Sequence, residues 1–216
     1  MGRLFIVGCS GHGKVIADIA LKQNKYDKLL FLDDNPKSDN CLGIPVAGSS
    51  TYENITSEDE IIVAIGNPDI RQKLQETYSK KGFKIATLIH PDAVIGTGVK
   101  IDEGTVVMAG AVINPDAVVG KGVIINTGAT VDHDDVICDY AHISVGAHIA
   151  GTVKIGKSTW IGAGAVVSNN LHICGRVMVG AGAAVVKNIE EQGTYVGVPA
   201  RKLYMEANIF EERSTL

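Results

Sequence analysis

The residues best suited to chemistry gather at one point in the chain, Asp132-His133-Asp134-Asp135. An imidazole with a pKa of about 6.5 can take a proton from a reacting group at neutral pH and give it up again. A carboxylate beside it orients the ring and stabilises the imidazolium, which strengthens the base. Such a pair suits a step in which an amine attacks a carbonyl and must shed a proton. A charged turn carrying a passive histidine has the same residues, and the residues alone leave both readings open.

The other histidines are His12, His90, His142, His148 and His172. Zinc held by His133, His142 and His148 is disfavoured, because steps of nine and six residues put them on different sides of the repeat described below. No metal is expected. A second candidate site is the run Gly8-Cys9-Ser10-Gly11-His12-Gly13, with Asp33-Asp34 and Gly66-Asn67 further on. Glycines allow close backbone approach, and unpaired N–H groups at a following helix start suit a phosphate. Asp33 or Asp34 is able to accept hydrogen bonds from a ribose or a base. The spacing is not the dinucleotide G-x-G-x-x-G, and a tight strand–helix turn with no ligand is the competing reading.

These residues need elements to hold them, and a repeat supplies most of the chain. Every sixth residue from Ile95 to Val185 is Ile or Val. The residue four places after each is usually small, as at Val99, Thr105, Ala111, Ala117, Val123, Ala129, Ala141 and Ala147. Period six is neither 3.6 nor 2, so neither an amphipathic helix nor a plain alternating strand explains it. A triangular solenoid does, with one hexapeptide per side, eighteen residues per coil and about five coils between Ile89 and Val186. The β-branched residues stack inside and the small residues close the corners. Counted from Val131, His133 faces outward, as do His142, His148 and His172. Asp135 breaks the small-residue series beside His133.

Before the repeat, apolar strands at Leu4–Gly8, Leu29–Leu32, Ile61–Ile65 and Ile85–Leu88 alternate with helices at Val15–Leu21 and Asp69–Lys81. That alternation predicts a small Rossmann-like parallel sheet with ligands at its carboxyl ends. The expected organisation is residues 1–88 as a nucleotide-binding unit and 89–203 as the solenoid, with a tail to 216.

The 216 residues include 25 Gly against 4 Phe and 1 Trp, which fits tight turns and small aliphatic layers. A hydrophobic share of 45% predicts a packed core. A net charge of −4 with no basic run argues against nucleic acid as a partner. The apolar start is too short for a leader or a membrane span. Cys9, Cys41, Cys138 and Cys174 show no pairing pattern, so free thiols in a reducing cytoplasm are expected.

With Phe31-Leu32-Asp33-Asp34, His142-Ile143-Ser144-Val145-Gly146-Ala147 and Val196-Gly197-Val198-Pro199-Ala200, these marks resemble the sialic-acid O-acetyltransferase and bacillosamine-type N-acetyltransferase family. The resemblance runs to about Leu203. It implies an α/β Rossmann-like domain followed by a left-handed parallel β-helix of hexapeptide repeats. It also implies a homotrimer with acetyl-CoA between neighbouring subunits. In that reading His133 is the base and Asp134 supports it, while His142, Gly151, Ala163 and Ala181 contact the coenzyme. Ser10, Gly11, His12, Asp33, Asp34 and Asn67 hold the UDP part of an amino sugar acetylated at its 4-amino group. O-acetylation of a sialic acid and a non-catalytic trimeric scaffold are the alternatives.

Overall fold

The computed structural model describes residues 2–204 and contains a small α/β unit followed by a three-sided parallel β-solenoid. In the first unit, β1 (Arg3–Val7) leads through α1 (Gly11–Gln23) to β2 (Lys28–Leu32), then to the short β3 (Asn40–Cys41) and β4 (Ile44–Gly48). The chain crosses back to β5 (Glu60–Val63), α2 (Pro68–Lys80) and β6 (Lys84–Ile85). The sheet order is β3-β4-β2-β1-β5-β6, parallel except for the β3–β4 pair. The connections therefore reverse direction beside β1, the switch point at which such sheets open a crevice at their carboxyl ends.

Two features differ from the sequence reading. The β3–β4 pair was not expected, because its first strand is two residues long and carries no alternating pattern. The single strand expected over Ile85–Leu88 is divided: Lys84–Ile85 ends the first sheet, and Leu88–Ile89 is the first strand of the solenoid.

Solenoid strands two or three residues long pair with the strand eighteen residues on, as in Val112↔Thr130 and Ile113↔Val131. The first side stacks Leu88–Ile89, Val106–Val107, Ile124–Ile125, His142–Ile143, Trp160–Ile161 and Val177–Val179. The second side runs from Val94–Ile95 through Thr130–Val131 and His148–Ile149 to Ala184–Val185. The third runs from Lys100–Ile101 through Val136–Ile137 to His172–Ile173. The six-residue series from Val107 to Val185 is buried and, with the small residues at the corners, forms one apolar column. At about 25 cal/mol per Å² of apolar surface, stacking a fully buried Ile or Val contributes roughly 1.5–3 kcal/mol before chain entropy is counted.

The corners differ in how they turn. Between the first and second sides the positive-φ positions are all glycine, at Gly110, Gly128, Gly146, Gly164 and Gly182. Between the second and third sides they are Gly98, Asp116, Asp134, Thr152 and Asn170. Asp134 is therefore held in the left-handed region (φ +60), which Asp and Asn tolerate better than most residues.

Over its first three coils the outward face of the first side is buried. Leu88, Val106, Met108 and Ile124 share a core with Leu4, Ile6, Ile16 and Ile19 of the α/β unit. Arg71 of α2, 1% exposed, adds a polar pin, donating to the carbonyls of Ile65, Gly66, Gly122 and Tyr140 at 2.7–2.9 Å.

Candidate active site

His133 stands at the corner between the second and third sides, and its side chain is exposed. Its Nδ1 lies 2.8 Å from Oδ2 of Asp134, whose left-handed backbone turns the carboxylate back towards the ring. The bond to Asp134 raises the imidazole above its ordinary pKa, and the neighbouring Asp132 and Asp135 charges add to the effect. If Nδ1 carries the proton and donates it to Asp134, Nε2 is left as the free lone pair.

The floor beneath the ring is Gly151, one coil on. A Cβ there would lie 2.6 Å from Nε2 of His133, so only glycine leaves room for this ring position. The corner is anchored by two more carboxylates. Asp132 Oδ1 accepts from Asn114 Nδ2 at 2.7 Å and from the His133 N–H at 2.8 Å, which holds its pKa below the usual range. Asp135 points inward and is fully buried, accepting from the N–H groups of Asp132 (2.9 Å) and Val153 (2.7 Å). Burial pushes its carboxyl up to about 7.

A second site lies on the α/β unit. A cavity of about 520 Å³ is lined by Ser10, Gly11, Lys14, Asp33, Lys37 and Asn40 among others. Gly13 brings α1 close to β1, since a Cβ there would overlap the Gly8 carbonyl oxygen and touch Phe31. The start of α1 thus opens on a cavity that also holds Lys14 and Lys37, a donor set suited to phosphate. The sequence reading missed both lysines. Lys14 closes the Gly-rich run and was legible there, whereas Lys37 arrives from the loop before β3 that the sequence left without structure.

The structure does not gather every residue expected at this cavity. Asp33 spends both oxygens on the loop, accepting from Cys9 N–H (2.7 Å) and Asn35 N–H (2.8 Å), though it still lines the cavity. Asp34 turns to Ser50, taking its N–H at 2.8 Å and its hydroxyl at 2.9 Å. Asn67 caps α2, accepting from the N–H groups of Asp69 and Ile70.

His12 and His142, assigned to different ligands from the sequence, share one polar patch between the α/β unit and the first side of the solenoid. His142 faces out of its coil, but the α/β unit covers it and it is 8% exposed. Its Nε2 lies 3.1 Å from Asn126 Nδ2, and its ring sits on Trp160 with centroids 4.4 Å apart. Trp160 donates to Ser144 Oγ. Burial, with Arg71 and the neighbouring imidazole opposing charge, lowers His142 to about 3; burial, with Arg71, lowers His12 to about 4. Both rings are neutral at pH 7, and among the described residues the buried His12 Nε2 and His142 Nδ1 have no hydrogen-bond partner. Ala163 and Ala181 are exposed and stacked on the corner between the first and second sides, with the Gly182 N–H donating to the Ala163 carbonyl.

His148 and His172 are exposed on the second and third sides. His133, His142 and His148 thus stand at three different places around the triangle. Among the described residues no three His, Cys, Asp or Glu side chains are grouped to hold a metal ion, and no helix is long and apolar enough to cross a membrane. The four cysteines are free thiols.

Residues 3–78 match the family model described as the PglD N-terminal domain. The chain is similar to the acetyltransferase domain of PglB from Neisseria gonorrhoeae, solved with acetyl coenzyme A: 40% identical, TM-score 0.91, covering 93% of this chain and 98% of that one. It is also similar to a histidine mutant of perosamine N-acetyltransferase from Caulobacter crescentus, solved with CoA and GDP-perosamine. That likeness has 32% identity and a TM-score of 0.88, covering 95% of this chain and 98% of that one. UDP-N-acetylbacillosamine N-acetyltransferase of Bacillus subtilis is 36% identical over 114 residues, which span 50% of this chain and about half of that enzyme (52%).

Proposed function

Because the chain belongs to the family represented by the PglB acetyltransferase domain and perosamine N-acetyltransferase, we propose that it moves the acetyl group of acetyl-CoA onto the amine of a nucleotide-linked amino sugar. The observation that carries this reading is the exposed His133–Asp134 pair over the Gly151 floor, on a chain whose α/β unit holds a separate cavity suited to phosphate. Relatives named for bacillosamine and perosamine favour an amine over a hydroxyl as acceptor.

In this mechanism the sugar nitrogen attacks the thioester carbonyl. His133 Nε2 takes the proton that the nitrogen loses as the C–N bond forms, and Asp134 stabilises the imidazolium from the other side. The C–S bond then breaks, and the proton passes from His133 to the departing coenzyme A sulfur. The nucleotide diphosphate sits at the start of α1 with Lys14 and Lys37, beside Ser10, Gly11 and Asp33. His12, Asp34 and Asn67 belong to the same unit but do not line the cavity. UDP is the nucleotide of this reading, with a 4-amino-4,6-dideoxy sugar bound for glycan or surface polysaccharide. Cytoplasm, where acetyl-CoA and nucleotide sugars are found, is its place of work.

A homotrimer completes the site. The α/β unit covers the first side of the triangle, whereas His133 occupies the opposite vertex, so one chain's cavity and one chain's base face different directions. A neighbouring copy brings a cavity to His133, and Gly151, Ala163, Ala181 and His142 are the coenzyme contacts of that arrangement. The apolar outward residues Val94 and Val166 of the second side, both exposed in a single chain, suit such packing.

The test is coenzyme A release, followed with a thiol reagent, on UDP-, dTDP- and GDP-linked amino sugars and on sialic acid. Release with a nucleotide amino sugar that disappears in His133→Ala supports the reading. Release with sialic acid alone overturns the acceptor, and silence across the panel overturns the activity. For the shared site, inactive His133→Ala chains mixed with inactive Lys14→Glu chains should regain part of the activity after co-refolding. No regain would place the whole site on one chain.

A further inference from the structure

The small-residue series of the repeat faces the coil interior, and three of its described members carry polar side chains: Thr105, Asp135 and Thr159. The threonines behave alike. Thr105 Oγ1 accepts from Val123 N–H (3.0 Å) and donates to the Gly120 carbonyl (2.7 Å). Thr159 Oγ1 accepts from Val177 N–H (3.2 Å) and donates to the Cys174 carbonyl (2.8 Å). Each hydroxyl thus satisfies one donor and one acceptor without burying a charge.

Asp135 makes the corresponding bond to Val153 N–H one coil on, but its second bond runs backwards, to the N–H of Asp132 at the start of the His133 corner. The charged groups that face it are Asp132 and His133 of its own corner. The coils on either side present the buried Ala117 and Val153, and among the described residues no Lys or Arg pairs with the carboxylate. A buried carboxylate without a cation is costly, and an apolar residue or Thr fills this position elsewhere in the same chain. The cost falls at the one corner that carries the base.

We propose that Asp135 is a positioning residue for the transfer step: its buried carboxylate, bonded to the N–H groups of Asp132 and Val153, fixes the corner that aims His133 and places negative charge behind the imidazole. This rests on His133 being the base. Asp134 fixes the ring from its exposed side, and Asp135 fixes the backbone from beneath. Burial moves the Asp135 carboxyl up to about 7, so its charge develops as pH rises through that value.

The experiment compares the full-length wild type with Asp135→Thr, Asp135→Ala and His133→Ala, reading coenzyme A release against pH and melting temperature. Thr is chosen because Thr105 and Thr159 already occupy this series and make the same Val N–H bond. The expected result for Asp135→Thr is a folded protein with kcat lowered roughly tenfold to a hundredfold. Its KM for acetyl-CoA stays unchanged, and the acidic limb of its kcat/KM profile moves to lower pH. Wild-type kcat and pH profile in Asp135→Thr, with His133→Ala inactive, would overturn the positioning role and leave the base in place. A lower kcat with an unmoved pH limb, or failure of both Asp135 variants to fold, would make Asp135 a packing residue only. Full activity in His133→Ala would overturn both readings.

Discussion

At the scale of the residue, His133 acts through its immediate contacts, and each contact is separately testable. Asp134→Asn keeps the left-handed corner, which Asn adopts readily, but removes the charge that raises the imidazole pKa. The acidic limb of the pH–rate profile should move to lower pH, because the base then loses its proton sooner. The turnover number should fall by about ten- to a hundredfold, because the imidazolium formed in the reaction loses its partner. An unmoved limb in steady-state kinetics would remove Asp134 from the mechanism. Gly151→Ala tests the floor. Its Cβ would lie 2.6 Å from Nε2, and the exposed ring can swing away, so the melting temperature should barely change while kcat falls by about a hundredfold. Normal activity would show that the ring works from another position.

At the scale of the element, the strand–helix turn of the α/β unit depends on one close approach. The Gly13 position lies so near the Gly8 carbonyl that a methyl group must push α1 away from β1. Gly13→Ala should therefore destabilise the protein by about 1–3 kcal/mol in denaturant unfolding. It should also raise the KM for the sugar nucleotide while leaving that for acetyl-CoA unchanged. Equal rises in both would mean general loosening. In the solenoid the repeat itself is the element. It tolerates differing corners because each needs only one left-handed residue, and the second–third corner uses non-glycine residues there in four of its coils. That freedom is what lets an acidic side chain stand at position 134.

At the scale of the whole molecule, the two units are joined by apolar packing around a buried polar patch. Arg71 alone saturates four carbonyls drawn from both units. Arg71→Ala leaves those acceptors unpaired and should cost about 3–5 kcal/mol, read as a lower midpoint in denaturant. Little change would mean that water replaces the guanidinium. The same junction sets a pH response. His12 and His142 have folded pKa values lowered to about 4 and about 3, so the unfolded chain takes up their protons first as pH falls below about 6.5. Their contribution is therefore complete above that pH and is lost as pH falls through about 4 and about 3. The raised Asp135 carboxyl acts in the opposite direction, costing stability as pH rises from about 4 to about 7. His12→Gln with His142→Gln should flatten the acid side of the melting-temperature profile and leave the neutral side alone. An unchanged acid side would locate the acid sensitivity elsewhere.

The hexapeptide period was decisive in the sequence because a solenoid is built from local repetition: stacking Ile or Val every sixth residue requires no knowledge of distant contacts. The strand–helix alternation of the first unit and the outward direction of His133 were readable for the same reason. The β3–β4 pair was not, since strands of two and five residues exist only because β2 offers an edge to pair with. Tertiary structure alone decided that the outward His142 is covered and neutral, because another unit folds over its side of the triangle. It likewise turned Asp34 to Ser50 and made Asn67 a helix cap, since a side chain's partner depends on which loop arrives beside it. In the sequence Asp135 was only an exception to a pattern. Its two N–H partners, one of them eighteen residues on, exist only where the coil closes and brings the next one alongside.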